Sequence, residues 1–109
     1  MTTQSKPATV KELSSRFIEL ANEMKDAGQD IKRISSGLMQ ASAIYATYVA
    51  AGNEGYLRDS GVKKVADVYV NGLRELQQLK KAVAEQQGLK PREAIAPMPI
   101  DDSDPTGER

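Results

Sequence analysis

Apolar residues recur three and four positions apart in three separate stretches of the chain, and glycines interrupt the pattern between them. The first stretch carries Val10, Leu13, Phe17, Leu20, Ala21 and Met24, a spacing that draws one stripe along a helix. Thr9 precedes it and Glu12 follows three residues later. Each side chain of such a pair can satisfy a backbone N–H that the first helical turn leaves without a partner. Gly28 supplies a residue that tolerates the left-handed conformation at a helix end.

A second helix is predicted from Asp30, whose carboxylate accepts first-turn N–H groups and complements the helix dipole. Its stripe runs through Ile31, Ile34, Leu38, Ala41, Tyr45 and Tyr48 to a turn at Gly52-Asn53-Glu54-Gly55. The third helix has three competent caps before it, Asn53, Asp59 and Ser60. Gly61 favours a start near Ser60, after a short loose turn at Tyr56 and Leu57. Val62, Val65, Tyr69, Leu73, Leu76, Leu79 and Val83 then share a face, and Gly88, Leu89 and Pro91 end it. At the standard rise this helix measures roughly 40 Å and the other two roughly 30 Å. There is no alternating strand pattern and no internal repeat.

Within the second helix the run ISSGLMQASAIYATYVAAGN carries no charge, in a chain of which 28% is charged. A membrane span needs about 20 predominantly apolar residues. Here the large aliphatics are only Ile34, Leu38, Met39, Ile44 and Val49, so no membrane span is expected. A helix uncharged on every side is instead expected to be a central spine covered on several flanks. Small residues fall in rows, among them Gly37 with Ala41 and Ser42 with Ala46 and Ala50, and such rows let a neighbouring backbone approach closely.

The fold expected is therefore all-α: a three-helix, bundle-like domain over residues 9–88, with helix 2 central and helix 3 long. Residues 1–8 are a polar lead. Residues 89–109 hold four of the five prolines and a block of acids, which reads as a disordered tail.

Composition narrows the chemistry. The 109 residues carry 15 Lys and Arg against 15 Asp and Glu, so no net charge draws the protein to nucleic acid or an anionic membrane. There is no Cys and no His, which removes disulfides, thiolate zinc sites, cysteine nucleophiles and the usual general base. Glu19 and Glu23 lie one turn apart, but carboxylate metal sites in helical bundles normally add histidines, and a solvated face is the simpler reading. Neither a Gly-x-Ser-x-Gly elbow nor a phosphate-binding glycine loop occurs. No catalytic, cofactor-binding or metal-binding residue is predicted, and no enzymatic activity. The amino-terminal residues MTTQSKPATV lack the apolar core of a secretory signal, which predicts a cytoplasmic protein of bacterial type.

Tyr45, Tyr48 and Tyr69 fall on the helical stripes and are expected in the core with their hydroxyls at its rim. Lys63, Lys64, Arg74 and Lys81 offer helix 3 a weak basic face, interrupted by Asp67, Asn71 and Gln78. It motivates an alternative function as a nucleic-acid-associated accessory protein, although no recognition-helix signature accompanies it. The tail segment IAPMPIDD reads as a solubilising tail before a linear ligand.

Three stretches together, RFIELANEM, SSGLMQASAIYATYVAAG and VADVYVNGLRELQQL, resemble a family of small proteobacterial all-helical proteins grouped as a domain of unknown function. The likeness covers residues 12 to 80 and lies in apolar and small positions. It implies an all-α fold and a bacterial cytosolic setting, and brings no activity, cofactor or site residues. The chain departs from it at Ile44, where an arginine is usual, and in its proline-rich tail.

What remains is function by protein–protein contact, with self-association first. The distal part of helix 3 is predicted to outrun its neighbours, and an amphipathic overhang without cover is unstable alone. The expected interface comprises Ala43, Ala46 and Ala50 with Leu73, Leu76, Leu79 and Val83, in a homodimer or against another protein.

Overall fold

The computed structural model describes residues 6–91. These form three α-helices and no strand: α1 (Val10–Asp26), α2 (Ile31–Ala51) and α3 (Asp59–Gln86). The all-α, three-helix reading of the sequence therefore stands. Most of the proline-rich tail, and the first residues of the lead, lie outside the described residues.

Local side-chain chemistry sets the helix limits. At α1 the capping box closes in both directions: the Glu12 N–H donates to Thr9 Oγ1 at 3.0 Å, and the Thr9 N–H donates to Glu12 Oε1 at 2.8 Å. The far end closes as a Schellman motif, with the Gly28 N–H donating to the Lys25 carbonyl at 2.9 Å and the Gln29 N–H to the Met24 carbonyl at 3.0 Å. Gly28 stands at φ 102°, a backbone conformation that residues with a Cβ rarely adopt. α3 ends the same way, through Gly88 N–H to Glu85 at 3.2 Å and Leu89 N–H to Ala84 at 2.8 Å.

Asp30 caps α2 as expected, its Oδ2 accepting from the Arg33 N–H at 3.2 Å. The start of α3 differs from the expected Ser60. Arg58 occupies the cap position without a side-chain bond, and its carbonyl accepts from the Gly61 and Val62 N–H groups at 2.8 and 3.0 Å. Asp59 thus enters the first turn as a charge complementing the dipole. Leu57 folds over the same turn, with carbons 3.4 Å from where a Cβ on Gly61 would stand. The helix thus begins at Asp59, one residue before Ser60.

The described residues divide within α2, into a unit reaching Met39 and a unit from Gln40 onward. In the first, α1 presents Phe17 and Leu20 as exposed groups, while Ala21, Ile34, Ser36 and Met39 are half-buried. In the second, Ala46, Thr47, Ala51 and Leu57 are half-buried, as is Ala84 near the end of α3. No residue of any of the three helices is fully buried.

Two expectations change here. Helix 2 is central in chain order but not a buried spine: Ile44 is 65% exposed and Val49 70%. Its small side chains project too little volume to draw cover around them, and at Gly37 nothing lies within 4 Å of where a Cβ would stand. Tyr45, Tyr48 and Tyr69 are likewise exposed, not core. Tyr45 and Tyr48, one turn apart, rest against each other with ring centroids 5.6 Å apart and planes tilted by 45°, so each shields part of its neighbour from water.

The two kinds of glycine predict opposite responses. Gly37→Ala fills empty space in a helix interior and is expected to raise stability by about 0.5–1 kcal/mol. Gly88→Ala places a Cβ at φ 73° and is expected to lower it by about 1 kcal/mol. Thermal unfolding followed by circular dichroism at fixed concentration checks both signs.

Candidate self-association surface

The seven residues expected at an interface all fall in the unit that begins at Gln40. Ala43, Ala46 and Ala50 stand three and four residues apart on α2, with Ala46 half-buried and the other two exposed. Leu73, Leu76, Leu79 and Val83 form a strip on α3, where Leu79 is 69% exposed and Leu76 44%. The candidate surface is thus two strips on two helices. Each is bordered by large apolar groups that the sequence pattern leaves off its stripes, Ile44 and Val49 on α2 and Val68 on α3. Periodicity finds the residues that share a favoured face, and these three lie off it.

Beside the alanine strip is an open hollow of about 330 Å³, lined by Ala43, Ile44, Thr47 and Tyr48 of α2 and by the glycines of the following turn. It exists because the turn folds tightly against the helix end. A Cβ on Gly55 would run into the Ala51 carbonyl oxygen, so a glycine is needed there for close approach. The Thr47 hydroxyl does not line the hollow as a free donor, because it already donates to the Ala43 carbonyl at 2.8 Å. What remains is mostly apolar.

The charged residues are arranged differently. On the basic face of α3, Lys63 Nζ donates to Asp67 Oδ2 at 3.0 Å, one helical turn on, with both side chains largely in solvent. Asp67 therefore neutralises one of the four cations of that face, and Lys64, Arg74 and Lys81 are exposed around it. Glu19 and Glu23 are exposed on α1. Among the described residues no group of three or more acidic side chains gathers where a metal ion could be held. No described helix is long and apolar enough to cross a membrane.

Comparison of the chain with protein-family models, with curated proteins and with solved structures finds no match. The likeness to the proteobacterial helical family accordingly remains a resemblance in the residues quoted above.

The Lys63–Asp67 pair serves as an internal control for the surface. An exposed pair at this spacing contributes little, so Asp67→Asn is expected to change stability by less than about 0.5 kcal/mol. The same unfolding measurement checks it. A loss of several times that size would show that the basic face carries structural weight.

Proposed function

We propose that the protein acts without catalysis, through protein–protein contact, and that its first partner is a second copy of itself in a homodimer. The observation that carries this reading is the exposure of apolar stripes along all three helices, with no fully buried residue in any of them. In water, helices of 17, 21 and 28 residues derive most of their stability from packing of an apolar face. Burial is worth roughly 25 cal/mol per Å² of apolar surface, and side chains such as Phe17, Leu76 and Leu79 have that contribution still to gain.

Self-association fits the charge balance as well. Fifteen positive and fifteen negative groups leave no long-range repulsion between copies, whereas a strongly charged chain would resist pairing. A twofold dimer is the commonest closed solution. The cysteine-free composition goes with a cytoplasmic setting of bacterial type, in which no disulfide is needed.

Sedimentation equilibrium between about 1 and 100 μM tests the reading. The native chain is expected at dimer mass, with helicity that falls on dilution. Leu79→Glu, which would bury a carboxylate against apolar surface, is expected to shift it to monomer by at least about 2 kcal/mol of dimer stability. A native chain that is monomeric at every concentration, with a Leu79→Glu variant of equal stability, would overturn the proposal.

A further inference from the structure

The geometry points to the way the copies pair: a parallel, in-register coiled coil of α3 with α3, clamped by Glu75 of each copy against Lys80 of the other. The inference rests on the proposed self-association and adds orientation, register and two residues that the apolar pattern does not reveal.

The spacing along α3 is that of a heptad. Val62, Val65, Tyr69, Leu76, Leu79 and Val83 occupy alternating a and d positions without a break in register, and Gly72 and Gln86 fill the two remaining d positions. All six apolar seam residues are exposed in the single chain. In the amino-terminal half the flanking g and e positions hold Val68 and Leu73, which broadens the apolar face. In the carboxy-terminal half they hold Glu75 and Lys80, which narrows it to the strict seam of a two-stranded coil.

Those two charges lack partners of their own. Positions three and four residues to either side of Glu75 are Asn71, Gly72, Gln78 and Leu79, none of them basic. Around Lys80 the same positions are Leu76, Gln77, Val83 and Ala84, none acidic. Neither residue makes an ion pair among the described residues. In a parallel coiled coil the g residue of one helix meets the e residue five positions on in its partner. Residue 75 then meets residue 80 of the other copy, and twofold symmetry makes the contact twice.

An antiparallel pairing offers no such contact. There g faces g and e faces e, and the remaining g positions, Gly61, Val68 and Ala82, and e positions, Ala66, Leu73 and Gln87, are uncharged. A parallel pairing shifted by one heptad fails for the same reason. Only the in-register parallel arrangement satisfies both charges.

Because the chain has no cysteine, a single engineered one reports orientation cleanly. Gln86→Cys, at the last d position, is expected to give a disulfide-linked dimer in most of the full-length protein under mild oxidation, since facing d positions fall within the Cα separations a disulfide tolerates. In an antiparallel pair the two copies of residue 86 would lie roughly 30 Å or more apart and would not link. In parallel, Glu75→Lys and Lys80→Glu are each expected to weaken the dimer about tenfold, two attractions becoming two repulsions. The double exchange is expected to restore it to within about twofold of the native affinity.

A chain that sediments as a dimer but gives no linked Gln86→Cys product, and whose double exchange is no tighter than the singles, overturns the parallel pairing while self-association stands. A chain monomeric throughout overturns both. Restoration by the double exchange separates loss of the ion pair from a general failure to fold, because that variant carries both substitutions.

Discussion

Each of the three described helices has an apolar stripe that water touches, and the rest of the described structure is conditioned by that fact. A helix of about 20 residues gains little net stability from its own hydrogen bonds, which replace bonds to water. What fixes such a helix in a protein is the packing of its apolar face. In the described residues the ends of the helices are fastened with care, and their faces are not. Thr9 with Glu12, the Asp30 carboxylate and the two Schellman closures satisfy terminal backbone groups that would otherwise be orphaned. None of these devices removes Phe17, Tyr45 or Leu79 from solvent.

The division between what the sequence makes legible and what it does not follows the same line. Capping is a matter of residues three apart, so the Thr9 box, the Asp30 cap and the stops at Gly28 and Gly88 are readable directly. The start of α3 is harder, because three competent caps compete and the helix uses none of them, Arg58 standing at the cap without a side-chain bond. Burial is harder still. The stripe through Tyr45 and Tyr48 has the spacing of a core, but spacing says only which residues share a face and not whether anything covers it. The two rings cover part of each other instead. In the candidate surface, the periodic residues of α3 could be named from the sequence, while Ile44, Val49 and Val68 could not, because they stand off the stripes they flank.

The uncharged run of α2 takes its meaning from this. Lack of charge permits contact on any side, and small side chains permit close contact, but neither compels it. Gly37 has open space where a Cβ would be, Thr47 turns its hydroxyl back to its own helix, and the alanines at 43 and 50 meet solvent. A segment built so is suited to be touched and is only lightly touched by its own chain. α3 differs in kind: its apolar residues keep one heptad spacing over the length of the helix, interrupted at Gly72 and Gln86, and its amino-terminal half carries a broader apolar border than its carboxy-terminal half.

The absence of fully buried side chains in the helices also shapes how the sequence can drift. In most small domains the intolerant positions are core residues, because their truncation leaves a cavity. Here truncating an apolar side chain in the lone chain opens no cavity, so aliphatic exchanges away from the α3 seam cost the single chain little. The rigid positions are instead those where the backbone itself would object: the glycines that reverse the chain after α1 and α3, and Gly55 pressed against the Ala51 carbonyl. Among divergent copies of such a chain, that punctuation would hold together with the α3 seam, while the words between them changed.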